Sequence, residues 1–143
     1  MNASDASPRD LLIGSFHAAV SAVMPDRILP THLPAPPDKG RTLVVGAGKA
    51  AAAMAACVEA HWPADAPLSG LVITRHGHGL ASSQPNERTR IRTVEAGHPL
   101  PDMAGLAATE DLISLVQAAG PDDRVAATTR DPYMATPPTL PTH

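Results

Sequence analysis

A single cysteine, Cys57, stands in the 143-residue chain, so neither a disulfide framework nor a cysteine zinc site can form within it. One Phe, one Trp and one Tyr leave few aromatic platforms on which bases could stack. A basic surplus is missing too. The formal charge is −3 at pH 7, whereas a phosphate-backbone binder needs a basic face, so nucleic acid is not an expected partner. No apolar run approaches the roughly 20 residues of a membrane span. The first ten residues, "MNASDASPRD", lack the basic and apolar regions of a signal peptide. The expectation is an untargeted, cytoplasmic chain with no membrane partner.

What is present is aliphatic. Hydrophobic residues make up 43% of the chain, enough for one globular core built mostly of Ala, Val, Leu and Ile. The sixteen prolines cluster in "PTHLPAPPDKG" and "PYMATPPTLPTH", which mark boundaries. Ser7-Pro8-Arg9-Asp10 reads as a helix start with Ser7 as N-cap and Pro8 in the first turn. Leu11, Leu12, Phe16, Val20 and Val23 then recur at helical spacing, predicting a helix over about 8–24. Five prolines between 25 and 37 predict an extended connector.

Thr42 to Val45 reads as a buried strand. Lys49 to about His61, with seven alanines in thirteen residues, reads as a helix able to lie close to a sheet. Further strands are expected at Leu71–Thr74 and Ile91–Glu95. Asp102 should cap a third long helix running to about Ala119, stopped by Gly120-Pro121. The order of helices and strands predicts an α/β fold, Rossmann-like, with a mostly parallel sheet and flanking helices. "DDRV" begins like a further strand, and the aperiodic, proline-rich segment after it is expected to be disordered or loosely attached.

Between the first strand and its helix lies Gly46-Ala47-Gly48-Lys49-Ala50-Ala51, of the form G-x-G-x-x-A in the strand–turn–helix setting that a dinucleotide fingerprint requires. There the first glycine permits a tight turn, the second lets a ligand approach the backbone, and Ala51 permits close helix packing. Free N–H groups at a helix start favour an anion. Lys49 adds an ammonium suited to a carboxylate or a transferring phosphoryl group. The Walker A spacing is absent. A ribose-binding acid is expected at the end of the second strand, but the chain gives Asp65 before that strand and Arg75 after it. Glycines that merely turn the chain are the bland alternative.

"RHGHG" leaves the second strand and "EAGHPLPD" leaves the third. Parallel neighbouring strands would put Arg75, His76, His78, His98 and Asp102 at the sheet edge where ligands of open α/β sheets bind. Three of these histidines could form a metal site, but H-x-H with one distant partner is weak, and no metal ligand is assigned.

"TLVVGAGKAAAAMA", "GLVITRHGHG" and "EAGHPLPDMAG", in this order and spacing, resemble the N-terminal part of the glycerate 2-kinase family, the MOFRL-type glycerate kinases, some of which carry the label hydroxypyruvate reductase. The likeness covers about residues 8–125. It implies transfer of the ATP γ-phosphoryl group to the 2-hydroxyl of D-glycerate, with magnesium. By resemblance Lys49 would be the catalytic lysine, Gly46, Ala47 and Gly48 would line its cleft, and Arg75 and His98 would contact anions.

Three regions are expected on this basis. Residues 1–40 form an N-terminal helix and proline-rich connector, 41–125 a partial Rossmann-like region, and 126–143 a tail unlike the family that reads like a shifted frame. The family's Ser/Gly-rich phosphate loop and second domain do not occur, so the chain alone is expected to be inactive or nearly so. Two alternatives are an NAD(P)-dependent hydroxypyruvate reductase and a non-catalytic anion- or partner-binding module.

Overall fold

A computed structural model of the chain describes residues 7–80 and 89–128. The tail was expected to begin at residue 126, but residues 126 and 127 belong to the fourth strand, paired with the first; the tail from residue 129 onward and the middle of the loop after the second strand lie outside the described residues.

Four strands form one sheet: β1 (Thr42–Ala47), β2 (Leu68–Arg75), β3 (Ile91–Ala96) and β4 (Arg124–Ala127). Their order is β3-β2-β1-β4 and every pairing is parallel. Thr42 of β1 lies opposite Leu68 on one side and Arg124 on the other. Helix α3 (Ala51–His61) links β1 to β2, and α4 (Met103–Gln117) links β3 to β4. These crossovers run in opposite directions along the sheet, so right-handed connections put the helices on opposite faces. The result is the expected α/β sheet with flanking helices.

The main core lies under α3. Val44, Val72 and Ile91 from three strands pack with Ala51, Ala55 and Val58, and Trp62 closes the far end. Small alanine side chains let the helix axis approach the sheet, as the composition predicted. On the same face, Gly70 is required by a close approach, because a Cβ there would overlap the Val44 carbonyl. The C-terminal end of α3 is held by Arg90, whose guanidinium donates to the carbonyls of Glu59 (3.2 Å) and Pro63 (3.1 Å). Helix carbonyls without intrahelical partners accept such a cation readily. Glu59 in turn accepts the amide of Ile91 at 2.6 Å, tying α3 to the start of β3.

Helix α1 (Pro8–Ala22) begins where the Ser-Pro signal put it, with Ser7 Oγ accepting the Asp10 amide. It buries no residue; Leu12 and Phe16 are 73% and 65% exposed. The proline-rich connector differs from its expectation. Its first part is a short helix, α2 (Pro25–Ile28), followed by a 3-10 turn over Leu29–Thr31. Both have proline in the first turn, where the missing N–H has no intrahelical acceptor to lose and the fixed φ suits a helix. Only the residues after that turn run extended.

Candidate functional site

The site lies over the C-terminal ends of β1, β2 and β3. A cleft of about 150 Å³ is lined by Ala47, Gly48 and Lys49 from the first strand's turn, Ile73, Thr74 and Arg75 from β2, and Ala96, Gly97 and His98 beyond β3. Parallel pairing produces this convergence. Ala47 lies opposite Ile73, and Arg75 opposite Ala96, so three chain exits share one edge.

The glycine turn divides into two parts with different physics. Gly46 and Ala47 are still strand. Gly46 does not line the cleft; a Cβ on it would overlap the hydroxyl and carbonyl oxygens of Thr128. Thr128 crosses there just beyond β4, donating its N–H to the Val45 carbonyl at 2.7 Å. A glycine is needed at 46 because another piece of backbone lies against it. Gly48 is the opposite case. Its φ is +130°, a region that side chains rarely adopt, and nothing lies within 4 Å of where a Cβ would stand. That open space belongs to the cleft. The chain leaves it through Lys49 and enters α3 two residues later than the alanine run suggested.

No side chain caps α3. The Ala51 N–H reaches the Gly48 carbonyl and the Met54 N–H the Ala50 carbonyl, so the amides of Ala52 and Ala53 remain for an outside acceptor at the positive end of the helix dipole. Lys49, Arg75 and His98 are exposed, and among the described residues none of their three side chains has a hydrogen-bond or ion-pair partner. Thr74 escaped the sequence reading, since a β-branched residue near a strand end carries no motif. It is 2% exposed and lines the cleft, and its hydroxyl lacks a partner among the described residues.

Carboxylates are close by but occupied. Glu95 accepts the amides of Gly77 (3.1 Å) and Gly79 (2.7 Å), which lower its pKa. Asp102 caps α4 through the Gly105 amide at 2.8 Å and accepts His76 Nε2 at 2.8 Å. The amides of Gly105 and Gly97, then His76, hold its pKa at about 2. His76 and His78 therefore sit behind the cleft, and His98 sits in it. Among the described residues no three His, Cys, Asp or Glu side chains are arranged to hold a metal ion. Both nearby carboxylates are engaged by amides, so these residues do not fit a magnesium site. No described helix is long and apolar enough to cross a membrane.

An open parallel sheet whose C-terminal edge gathers unpaired cationic and amide groups defines an α/β domain with an anion-sized cleft. The particular family follows from comparison with known proteins. Residues 11–128 match the family described as "Domain of unknown function (DUF4147)", and the chain belongs to it. It is 46% identical over 127 residues to a "Putative hydroxypyruvate reductase" of Agrobacterium vitis, covering 89% of this chain and 27% of that protein. A "Glycerate 2-kinase" of Pyrococcus horikoshii is 32% identical over 87 residues, covering 61% of this chain and 18% of the relative. The crystal structure of a glycerate kinase from Thermotoga maritima superposes with a TM-score of 0.62 at 28% identity, over 83% of this chain and 27% of that one. The resemblance to the N-terminal part of glycerate 2-kinases therefore stands. The chain spans about a quarter of the length of these relatives, or less.

Proposed function

We propose that the cleft binds the anionic group of a small hydroxy acid or its phosphate, as one wall of a glycerate 2-kinase active site. The observation that carries this reading is the juxtaposition of Lys49 with Gly48 and the uncapped start of α3. Lys49 and the approachable backbone at Gly48 line one volume, next in the chain to the uncapped start of α3, and an ammonium beside a helix start favours an anion. Arg75 and His98 face the same volume from the other two strands and would take a second oxygen or orient the hydroxyl. The proposed reaction of the complete site is transfer of the ATP γ-phosphoryl group to the 2-hydroxyl of D-glycerate, with Lys49 as the catalytic lysine. At about 150 Å³, the cleft suits one small anion and not a whole nucleoside triphosphate.

Phosphoryl transfer depends on positioning and on charge neutralisation from several sides. The described residues supply one side only, without a fitting carboxylate pair for magnesium. Binding without useful turnover is therefore the expected behaviour of this chain. The test is calorimetric titration of the intact chain with D-glycerate, inorganic phosphate and ATP, beside a Lys49→Ala variant and a coupled kinase assay. Weak binding of glycerate or phosphate that Lys49→Ala abolishes supports the reading; unchanged binding in the variant removes it.

One feature favours a second reading. The turn has the dinucleotide form, and the strand after α3 ends on Arg75, where a 2′-phosphate of NADPH would be met in such folds. Oxidation of NADPH by hydroxypyruvate in the presence of the chain would establish that activity in place of the kinase reading.

A further inference from the structure

Arg75 approaches the cleft as the last residue of β2, paired with Ala96, and His98 approaches it on the loop beyond β3, a loop that is tethered from behind. His76 follows Arg75 directly but does not line the cleft. Its Nε2 lies 2.8 Å from Asp102 Oδ2 and its Nδ1 3.9 Å from Glu95 Oε2. Each carboxylate is itself anchored. The second oxygen of Asp102 holds the Gly105 amide, and the Gly97 amide also faces this carboxylate. Glu95 holds Gly77 and Gly79, the residues on the far side of His76. A continuous chain of contacts thus runs from Arg75 through His76, Asp102 and Gly97 to His98. Beside it, the β2–β3 pairing of Arg75 with Ala96 continues in the bond of His76 N–H to the Ala96 carbonyl, at 3.1 Å.

We infer that His76 is a positioning residue of the anion cleft: its bond to Asp102 fixes the separation of Arg75 and His98 without touching the ligand. The inference rests on the anion-binding reading above. The physical reason is ordering. Strand pairing ends at Arg75 and Ala96, so Gly97 and His98 lie beyond it, and a ligand that had to order them itself would bind more weakly. A charge-assisted bond between the loops removes that cost before the ligand arrives. The side chain is 60% exposed, so its replacement leaves no cavity and the sheet beneath stays intact.

Two variants of the intact chain test this. In His76→Gln the amide nitrogen reaches about as far as Nε2 and still donates to Asp102; His76→Leu removes the donor. Titrations with D-glycerate and with inorganic phosphate are run beside amide NMR spectra in which Gly97 and Gly105 report the Asp102 carboxylate. His76→Leu is expected to weaken binding by about tenfold, the size of one such contact, and to shift both glycine amides. His76→Gln is expected to restore affinity to within about threefold and leave the two amides near their original positions.

Affinity in His76→Leu equal to that of the unaltered chain overturns the inference, as does an equal loss in both variants. If the unaltered chain binds neither probe, the anion reading fails separately. The Gly97 and Gly105 amides then decide the clasp alone: it stands if only His76→Leu moves them and falls otherwise.

Discussion

Replacing Gly46 by alanine tests why that glycine is there. The added Cβ would overlap both oxygens of Thr128, and one of these is a backbone carbonyl that no rotamer change can move. Thr128 must retreat, losing its N–H bond to the Val45 carbonyl (2.7 Å) and its Oγ1 bond to the same carbonyl (3.3 Å). Two hydrogen bonds at about 1 kcal/mol each and overpacking of about 1–3 kcal/mol sum to roughly 3–5 kcal/mol. Trp62, the chain's only tryptophan and 6% exposed, reports unfolding by its fluorescence in a urea titration. With a denaturant slope of about 2 kcal/mol/M, the midpoint should fall by about 1.5–2.5 M. Thr128→Gly in the same background relieves only the side-chain overlap and should recover part of the loss. Gly48→Ala provides the contrast: it meets no atom and strains only the backbone at φ +130°, a cost of about 1–3 kcal/mol that no change at Thr128 relieves. A Gly46→Ala stability within about 0.5 kcal/mol of the original would refute the argument from close approach.

Three further outcomes are expected. Arg90→Met should lower stability by about 1–2 kcal/mol, since it leaves the carbonyls at the end of α3 without their cation; an unchanged urea midpoint would contradict that. Thr74→Val should raise stability by about 1 kcal/mol, because a buried hydroxyl without a partner is costly, while weakening any ligand that uses this hydroxyl; a loss of stability would mean the hydroxyl has a partner after all. Asp102 has a native pKa of about 2, against an ordinary 3.8, so between these values the unfolded chain binds more protons than the folded one. Its contribution is complete above about pH 4 and is lost as pH falls through about 2, and Asp102→Asn should flatten the acid limb of a stability–pH profile over that window.

Much of the fold was legible because its signals are local. Ser7 and Asp102 are capping residues whose side chains accept amides three residues on, and that spacing can be read from sequence alone. The alternation of strands and helices gave the layer arrangement, since a short parallel sheet has few ways to be connected. Proline was overread between 25 and 37. It blocks a helix interior but suits a first turn, and sequence alone does not say which position it takes. Gly46 shows the deeper limit. Its neighbour in space is Thr128, some eighty residues away, so the motif offered a turn for a glycine that in fact answers to a crossing strand end. Thr74 is invisible for the same reason: an unpartnered hydroxyl is a property of its surroundings.

The site itself was partly legible. Arg75 and His98 could be placed at one edge from topology, but the side-chain bond that spaces them could not, because His76 and Asp102 each had an adequate local explanation. One was a loop histidine and the other a helix cap. In the structure the cap has a second oxygen to offer, and the histidine takes it. This separates two properties that the family resemblance joins. The proposed anion cleft is lined by residues within 47–98 and its proposed bracing extends to Gly105, so binding at the described sheet edge is open to direct measurement. Phosphoryl transfer needs charge supplied from the opposite side of the phosphoryl group as well, and no described residue stands there. Affinity, not rate, is therefore the property on which substitutions at Lys49 and His76 should be measured.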